Sequence, residues 1–523
     1  MLTFTKDGVF TRVSGPYEEK KYLDSSLTFV VPGREYDYAF KTGEWDGKIH
    51  LYDMEDSKFL VGITAEAVRR MNGEVEVLVV EEEIPHVEFP EITPDFITVR
   101  GNNLRQYQQS AIRKALYAGG GIVQIPTGGG KTVVASGILK AFNKKSLFLV
   151  NSIRLLRQTC SAFREAGLVD VGMIGDDEFS PGKITVATVQ TLSKRIRHPE
   201  VQELLRSIEV LILDETHHCQ ANSFSSLVVS IPAKWRYGLS GTPFKTSELS
   251  RYEDWLVLGL CGDICYMLPS SYLVDLGYLA RPIIFMLDVD APKLHIYSQN
   301  AWAKIYKAGI VQSVERNKMG VDAVRKMVGR GLRTLVLAQQ IEHVKNLVRD
   351  IGYQGIQVRG LLGDDRVVVY DPETQEVIEE KDEVIDGVSA VSEQFRRGEF
   401  QVLVASTVLD EGIDIPEVEA LVILSGGKSY IKTIQRLGRG LRPKKGGVNT
   451  VYVIDFLDNH HPLLKSHSIK RREKYLAEEH EVLGYMDYIK ELGCEDHVIR
   501  NRSTSHTASS GLQELQPISL LRM

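Results

Sequence analysis

The stretch IPTGGGKT, residues 125–132, decides the fold of this chain. The residues GIVQ before it are apolar enough for a short buried strand, and VVASGILKAF after it has the apolar spacing of a helix. Glycines between a strand and a helix let backbone N–H groups curl around an anion that also faces the positive end of the helix. The stretch therefore predicts a phosphate-binding loop made by Thr127, Gly128, Gly129, Gly130, Lys131 and Thr132.

Two side chains of the loop carry the predicted chemistry. Lys131 is placed to reach β- and γ-phosphates, and the Thr132 hydroxyl is placed to ligate Mg²⁺. A flexible glycine-rich loop is the plain alternative, but strand, glycines, Gly-Lys-Thr and helix occur here in the order that phosphate binding requires.

Composition bounds the class of protein. The 523 residues are 43% hydrophobic and 25% charged, as in a globular protein of about three domains. The net charge of −6 means that any nucleic-acid site must be a local basic surface. No run of about 18 apolar residues and no targeting signal is present, so we expect an intracellular protein without membrane contact. Cys261 and Cys265 lack a second cysteine pair, which favours buried apolar residues over a zinc site.

The chain divides into four predicted segments. Residues 1–98 mix short strands with one helix, which predicts a small α/β domain that assists DNA binding, and they end in the proline-rich IPHVEFPEITPDF, interpreted as a linker. Apolar strands then alternate with helices over 99–269 and again over 270–460, which predicts two tandem α/β domains with parallel sheets. Residues 461–523 are predicted to form a basic helical extension and a disordered tail.

A second constellation follows the strand VLIL at 210–213. Asp214 and Glu215 stand at the carboxyl end of that strand, where open α/β sheets bind ligands. Asp214 would hold Mg²⁺ through water, and Glu215 would polarise the water that attacks a γ-phosphate. An acidic pair in this place is also a common helix N-cap, but the upstream Lys131 and Thr132 favour catalysis.

Four motifs together resemble superfamily 2 helicases of the DExH type: IPTGGGKT, DETHH at 214–218, SGTP at 240–243 and QRLGRGLR at 435–442. They span most of residues 104–443 in the order of that family. The resemblance implies two RecA-like domains with ATP and Mg²⁺ bound in the cleft between them. One departure is Ile125, which stands where the generic phosphate-loop pattern has its first glycine.

The resemblance also implies roles for residues outside the phosphate loop. In LRQYQ at 104–108, Gln108 would recognise the adenine edge with Arg105 supporting it, although Gln108 can equally be a solvated helix residue. In STVLDEGIDIP at 406–416, Asp414 would face the ribose and Thr407 the DNA backbone. Arginines from the second domain would stabilise the transition-state charge when the cleft closes. In QRLGRGLR, Arg439 and Arg442 are the candidates for these arginines and Gln435 is a further catalytic candidate facing the cleft, against the alternative of a solvated basic helix face.

Candidate contacts to a DNA strand lie at the ends of first-domain strands. Hydroxyl and amide side chains suit phosphate and sugar oxygens and carry no sequence information. The family-like positions are Asn151, Ser152, Thr188, Gln190, Ser240 and Thr242. Each of them can instead be a turn or helix cap.

A narrower resemblance lies near the start of the chain. FKTGEWDGKIHLYD at 40–53 is similar to the small N-terminal domain of the phage UvsW helicases, which remodel branched DNA in recombination and repair. Trp45 can also be a core residue, and Asp46-Gly47 an ordinary hairpin turn. The resemblance implies unwinding or branch migration of forks, Holliday junctions and DNA–RNA loops, 3′ to 5′ movement, a monomer, and action in the cytoplasm of a bacterial host.

Two segments are not explained by the motor motifs. Residues 367–387 predict a protruding hairpin, either a wedge that splits the duplex or an acidic surface insertion. LLKSHSIKRREKY at 463–475 is basic, and Arg471 and Arg472 are candidates for a duplex-gripping patch or for a solvated helix face.

Three functions compete at this point. They are a DNA helicase or branch-migration enzyme, a duplex translocase that does not separate strands, and an ATP-gated binding module. RNA as the main substrate stays open, since no motif reports a 2′-hydroxyl contact.

Overall fold

The computed structural model describes residues 1–71, 74–80, 87–216, 222–244, 251–296, 302–362, 366–380, 387–406, 418–427, 450–477 and 479–492. Within these residues the strands form three large sheets and two short ribbons.

The first sheet belongs to the N-terminal domain and has the order β5-β6-β2-β1-β7. Its strands, with the ribbon β3–β4, are β1 (Leu2–Lys6), β2 (Phe10–Ser14), β3 (Thr28–Val30), β4 (Lys48–His50), β5 (Tyr52–Asp53), β6 (Lys58–Leu60) and β7 (Val77–Val80). Its helices are α1 (Tyr17–Ser26), α2 (Tyr38–Thr42) and α3 (Thr64–Met71). The predicted small α/β domain is therefore present.

One tryptophan of the first RecA-like domain packs into the core of this N-terminal domain. Trp255 is fully buried in the N-terminal core together with Leu2, Phe4 and Phe59, although it lies on a helix of the next domain. Its ring contacts Phe29 at 5.5 Å between centroids, and the Arg70 guanidinium lies 4.2 Å from its centroid. The two domains thus share apolar burial, so separating them would expose an aromatic ring to water.

The linker prediction is wrong for the described part of IPHVEFPEITPDF, residues 87–96, which packs together with the residue that follows it. Ile92 and Ile97 are buried in the core of the first RecA-like domain, and the Phe89 ring lies 5.0 Å from Phe142. The backbone of Leu104 also donates to the Pro94 carbonyl at 2.7 Å. Prolines suggested a free connection, but the apolar residues between them give this segment enough surface to pack.

The second sheet forms the first RecA-like domain, with the order β13-β12-β14-β11-β15-β16-β10-β17. After the ribbon β8 (Thr98–Val99) and β9 (Asn102–Asn103), its strands are β10 (Gly121–Gln124), β11 (Ser146–Val150), β12 (Val171–Gly175), β13 (Glu178–Ser180), β14 (Ile184–Thr188), β15 (Val210–Asp214), β16 (Trp235–Ser240) and β17 (Ile264–Met267). All neighbouring pairs are parallel except β12 with β13. Apolar residues on both strand faces explain why helices cover both sides.

The helices of this domain follow its strands in alternation. They are α4 (Gln106–Ala118), α5 (Lys131–Phe142), α6 (Ile153–Glu165), α7 (Val189–Arg195), α8 (Pro199–Ser207), α9 (Asn222–Val229), α10 (Tyr252–Cys261) and α11 (Ser270–Asp275).

The third sheet forms the second RecA-like domain, with the order β22-β21-β20-β23-β19-β24-β25-β18-β26. Its strands are β18 (Arg281–Asp288), β19 (Thr334–Leu337), β20 (Val358–Leu361), β21 (Val367–Asp371), β22 (Glu376–Glu380), β23 (Val402–Ala405), β24 (Ala420–Ile423), β25 (Thr450–Leu457) and β26 (Glu481–Leu483). Its helices are α12 (Trp302–Tyr306), a π-helix (Lys307–Val311), α13 (Val314–Gly329), α14 (Ile341–Gly352), α15 (Gly387–Arg397), α16 (Pro462–Ala477) and α17 (Tyr485–Leu492). The predicted fold of two tandem RecA-like domains is confirmed.

The boundary predicted at residue 461 is wrong. Strand β26 pairs in parallel with β18, and Tyr488 and Leu492 of α17 are buried in the second-domain core. Residues up to 492 therefore belong to that domain. The disordered tail predicted beyond them lies outside the described residues.

The predicted hairpin forms, but most of it does not protrude. Strands β21 and β22 pair over five residues each, and β21 also pairs with β20, so the hairpin extends the edge of the sheet. Val368 is fully buried, whereas residues 372–376 of the turn are exposed. The Asp371 carboxylate accepts from the Thr374 hydroxyl at 2.8 Å and closes that turn. Among the described residues of the hairpin, the turn and the outer part of β22, including Ile378 at 45% exposure, are therefore accessible to a partner, and residues 381–386 lie outside the described ranges.

No helix within the described ranges is long and apolar enough to cross a membrane.

Candidate ATP site and nucleic-acid contacts

Three neighbouring strands bring the first-domain motifs together. Strand β16 pairs with β10 on one side and with β15 on the other, all in parallel. Their carboxyl ends continue into IPTGGGKT, SGTP and Asp214-Glu215, so the three motifs lie at one edge of the sheet. The Ile125 N–H donates to the Ser240 carbonyl at 3.1 Å, which ties the phosphate loop to the SGTP motif. This convergence is what the sequence predicted from strand ends alone.

The glycines of the loop are required by its geometry. Gly128 and Gly130 have φ values of +85° and +82°, a left-handed backbone that other residues adopt at a cost. A Cβ at Gly129 would lie 2.4 Å from the Ile125 side chain, and one at Gly130 would lie 2.5 Å from Gln108 Nε2. Helix α5 begins at Lys131, so its first N–H groups, which have no intrahelical acceptors, face the loop.

Lys131 and Glu215 form the centre of the site. The Lys131 ammonium donates to Glu215 Oε1 at 2.8 Å, although 84 residues separate them in sequence. The side chains are 7% and 17% exposed, so the pair is largely shielded from water. Glu215 has φ +50°, which is uncommon for a residue with a Cβ and is typical of strained functional positions. The ammonium that would bind phosphate and the carboxylate that would orient water are thus directly paired.

Asp214 and Thr132 supply oxygen atoms of the kind that Mg²⁺ prefers. Asp214 ends β15, and its Oδ1 accepts from the Glu215 N–H at 3.1 Å. Thr132 is the second residue of α5 and is half-buried. A magnesium ion held by one hydroxyl and one carboxylate takes its other ligands from phosphates and water. The residues fit such an ion, and its binding stays a prediction.

Gln108 is not a solvated helix residue. It is 5% exposed, and its Oε1 accepts from the Arg105 N–H at 2.9 Å. Its amide nitrogen lies so near the Gly130 backbone that no side chain would fit between them. Gln108 therefore lies between the first turn of α4 and the phosphate loop. Recognition of adenine itself stays a prediction.

Two tyrosines pack beside Arg105 and the phosphate loop, and the sequence did not predict their role. The Tyr107 hydroxyl accepts from Arg105 Nη1 at 3.0 Å and donates to the Gly129 carbonyl at 3.0 Å. Burial raises the pKa of Tyr107, which keeps the hydroxyl protonated. The Arg105 guanidinium lies 3.7 Å from the centroid of Tyr278, 173 residues away. Nothing in the local sequence around Tyr278 signals this contact.

Two of the first-domain DNA candidates, Ser152 and Thr188, are helix-capping residues. Ser152 Oγ accepts from the Leu155 N–H at 3.3 Å at the start of α6, and Thr188 Oγ1 accepts from the Thr191 N–H at 3.3 Å at the start of α7. The Gln190 amide donates to the Asn151 carbonyl at 2.8 Å. Thr188 is only 2% exposed, so its side chain acts as a helix cap and has little surface to offer a DNA strand. Gln190 is exposed, while Asn151 and Ser152 are half-buried, and DNA contact by these three stays a prediction.

The second-domain candidates cannot be compared with the site geometry. Thr407, Asp414, Gln435, Arg439 and Arg442 lie outside the described residues. Their assigned roles stay predictions.

The prediction that Arg471 grips DNA is wrong. Arg471 is fully buried, and its Nε and Nη2 donate to the two Asp455 oxygens at 2.8 and 2.9 Å. Burial alone would lower the pKa of Arg471, but the Asp455 carboxylate raises it, and the guanidinium stays charged. Helical periodicity explains the error, because α16 turns this one arginine inward and leaves Arg472 exposed beside Lys470 and Lys474.

Comparison with known proteins identifies both motor domains. The family described as Type III restriction enzyme, res subunit, matches residues 102–245, and the Helicase conserved C-terminal domain matches residues 320–444. The DNA 3'-5' translocase XPB2 of Sulfurisphaera tokodaii is 27% identical over 405 residues, covering 72% of this chain and 86% of that protein. The ATP-dependent DNA helicase uvsW of Enterobacteria phage T4 is 23% identical over 503 residues, covering 89% and 93%. The crystal structure of T4 UvsW covers 92% of this chain and 98% of its own, with 20% identity and a TM-score of 0.43.

The paired domains and the Lys131–Glu215 site define the class: this chain is a superfamily 2 helicase. Within that class it is close to the UvsW-like proteins, as the alignment over nearly its whole length indicates.

Proposed function

We propose that this chain is an ATP-dependent DNA helicase that unwinds or branch-migrates forks and Holliday junctions, moving 3′ to 5′, in recombination, repair and replication of a phage. Two observations support the proposal. The Lys131–Glu215 pair lies in one buried site at 2.8 Å. The relatives include proteins named as a DNA 3'-5' translocase and as an ATP-dependent DNA helicase.

The ion pair suggests how hydrolysis is controlled. While Lys131 holds Glu215, the carboxylate is neutralised and poorly placed to accept a proton from water. The γ-phosphate of ATP competes for the Lys131 ammonium, because a multiply charged anion attracts it more strongly than one carboxylate. Glu215 is then free to orient the attacking water, with charge stabilisation assigned to Arg439 and Arg442. Thr132 and Asp214 would hold Mg²⁺, which would supply charge neutralisation during hydrolysis.

The N-terminal domain is assigned to DNA binding. Its apolar contact with α10 through Trp255 couples it to the first RecA-like domain, so DNA held by it would follow that domain during each ATP cycle. Such coupling suits the remodelling of branched DNA, where two duplex arms are held at once.

The test is ATP-dependent dissociation of a mobile four-way DNA junction, with Lys131→Ala as control and an RNA duplex of equal length alongside. We expect the wild-type chain to dissociate the DNA junction and leave the RNA duplex intact. ATP hydrolysis without strand separation would favour the duplex translocase, and ATP-dependent binding without sustained hydrolysis would favour the gated binder. Faster opening of the RNA duplex would make this chain an RNA helicase.

A further inference from the structure

Three buried donors hold the main chain just after β24. Arg316 Nη1 donates to the Leu424 carbonyl at 2.7 Å, the Tyr306 hydroxyl donates to the Ser425 carbonyl, and Arg471 Nη1 donates to the Gly427 carbonyl at 3.0 Å. The donors come from α13, α12 and α16, and all are at most 3% exposed. We call Tyr306, Arg316 and Arg471 the carbonyl clamp.

Two aspartates hold the arginines of the clamp in place. Asp455 binds the Nε and Nη2 of Arg471, and Asp458 Oδ1 accepts from Arg316 Nε at 2.7 Å. Asp455 lies near the end of β25, Asp458 directly follows that strand, and both are buried. Each arginine binds an aspartate through other nitrogens and uses its Nη1 to donate to a carbonyl of the 424–427 main chain. The fork geometry of a guanidinium permits both contacts at once, which a lysine cannot match.

Such a cluster of buried ion pairs is weak evidence of a purely structural role, because replacing buried ion pairs by apolar residues of similar volume is often neutral or stabilising. The clamp acts at the carboxyl end of a parallel strand, where this fold places its chemistry. The Gly426 backbone also lies close against Ile310 of the π-helix, since a Cβ at Gly426 would lie 2.9 Å from the Ile310 side chain.

The chain that leaves the clamp at Gly427 reaches QRLGRGLR eight residues later. We propose that Tyr306, Arg316 and Arg471 are positioning residues for ATP hydrolysis, which fix the main chain at 424–427 that precedes the proposed catalytic residues. Helix α16 thereby becomes part of the ATPase machinery, although none of its residues belongs to a helicase motif. The inference rests on the proposed function, because it concerns the same ATP turnover.

Tyr306→Phe tests the clamp with little risk to folding, since it removes one hydroxyl and keeps the ring. Its matched control is Tyr237→Phe in the first RecA-like domain, which also removes a buried tyrosine hydroxyl bound to a main-chain carbonyl, that of Ala115 at 3.0 Å. We expect Tyr306→Phe to lower kcat for DNA-stimulated ATP hydrolysis by roughly 10- to 100-fold, the range expected when reacting groups shift by about an ångström. KM for ATP, DNA affinity and Tm should stay close to those of Tyr237→Phe.

Arg471→Lys provides the second variant. It keeps the charge opposite Asp455 but cannot also reach the Gly427 carbonyl, so kcat should fall while DNA affinity is retained. Equal kcat values for Tyr306→Phe, Arg471→Lys and Tyr237→Phe would overturn the proposal, as would losses of kcat that merely track Tm in all three. Junction opening by the wild-type chain separately tests the proposed function, so the two failures are distinguishable.

Discussion

Two adjacent arginines on α16 should respond to the same substitution in opposite ways. Arg471 is fully buried and donates four hydrogen bonds, two to Asp455 and one each to the carbonyls of Phe456 and Gly427. Arg471→Ala leaves Asp455 as a buried carboxylate with only the Tyr475 hydroxyl, at 2.8 Å, as a remaining side-chain partner among these contacts. Removing one partner of a buried ion pair costs roughly 3–5 kcal/mol.

That loss should be visible in thermal unfolding. A change of roughly 3–5 kcal/mol corresponds to about 6–20 °C in Tm for a domain of 150–250 residues. Calorimetry of the full chain would measure the transition, and hydrogen exchange in β25 would assign it to the second domain. Arg472→Ala is the matched control and should stay within about 0.5 kcal/mol of wild type, because Arg472 is exposed. If Arg471→Ala lowered the free energy of unfolding by less than about 1 kcal/mol, the reasoning that the buried Arg471–Asp455 pair stabilises this domain would be refuted.

Three further predictions concern the loop, the basic face and the hairpin. Gly130→Ala should raise KM for ATP, because its Cβ would lie 2.5 Å from Gln108 Nε2. Gly119→Ala is the control, since Gly119 also has a positive φ but has open space around it, and it should leave KM unchanged. Equal KM values for the two variants would contradict the role of Gln108. Changing the exposed Lys470, Arg472 and Lys474 together to Ala should weaken the salt dependence of junction binding. The slope of log K against log salt concentration should decrease in magnitude by about 0.9 for each DNA phosphate that these side chains neutralise. An unchanged slope would show that α16 is not part of the DNA interface. Replacing residues 372–375 by Asn-Gly should leave DNA-stimulated ATP hydrolysis intact and lower strand separation, and an equal decrease of both would contradict a wedge.

The ATP site was largely predictable because its signals are local. Strand, glycines, lysine and helix are contiguous in IPTGGGKT, and Asp214-Glu215 follows its strand directly. Once each motif is placed at the carboxyl end of a parallel strand, the topology of the fold brings the motifs together without further information. The Lys131–Glu215 contact is the direct result.

The errors arose where a contact joins distant segments. The stacking of Arg105 on Tyr278 and the burial of Trp255 in the N-terminal core depend on tertiary packing that no local pattern encodes. The basic run at 463–475 has no apolar stripe that would reveal an inward arginine, because Arg471 is buried by pairing with Asp455 rather than by hydrophobicity. The segment before residue 98 was predicted to be a linker because of its prolines. Those prolines drew attention away from Ile92 and Ile97, which are buried.

Glu215→Gln tests the central claim most directly, namely that the Lys131–Glu215 site hydrolyses ATP to drive strand separation. The amide keeps a hydrogen bond to Lys131 but cannot take a proton from water, so kcat should fall by on the order of 10²–10⁴-fold with KM for ATP little changed. Junction dissociation, measured in the same reactions, should fall in parallel. ATP hydrolysis near the wild-type rate, or junction opening that persists without hydrolysis, would contradict the account.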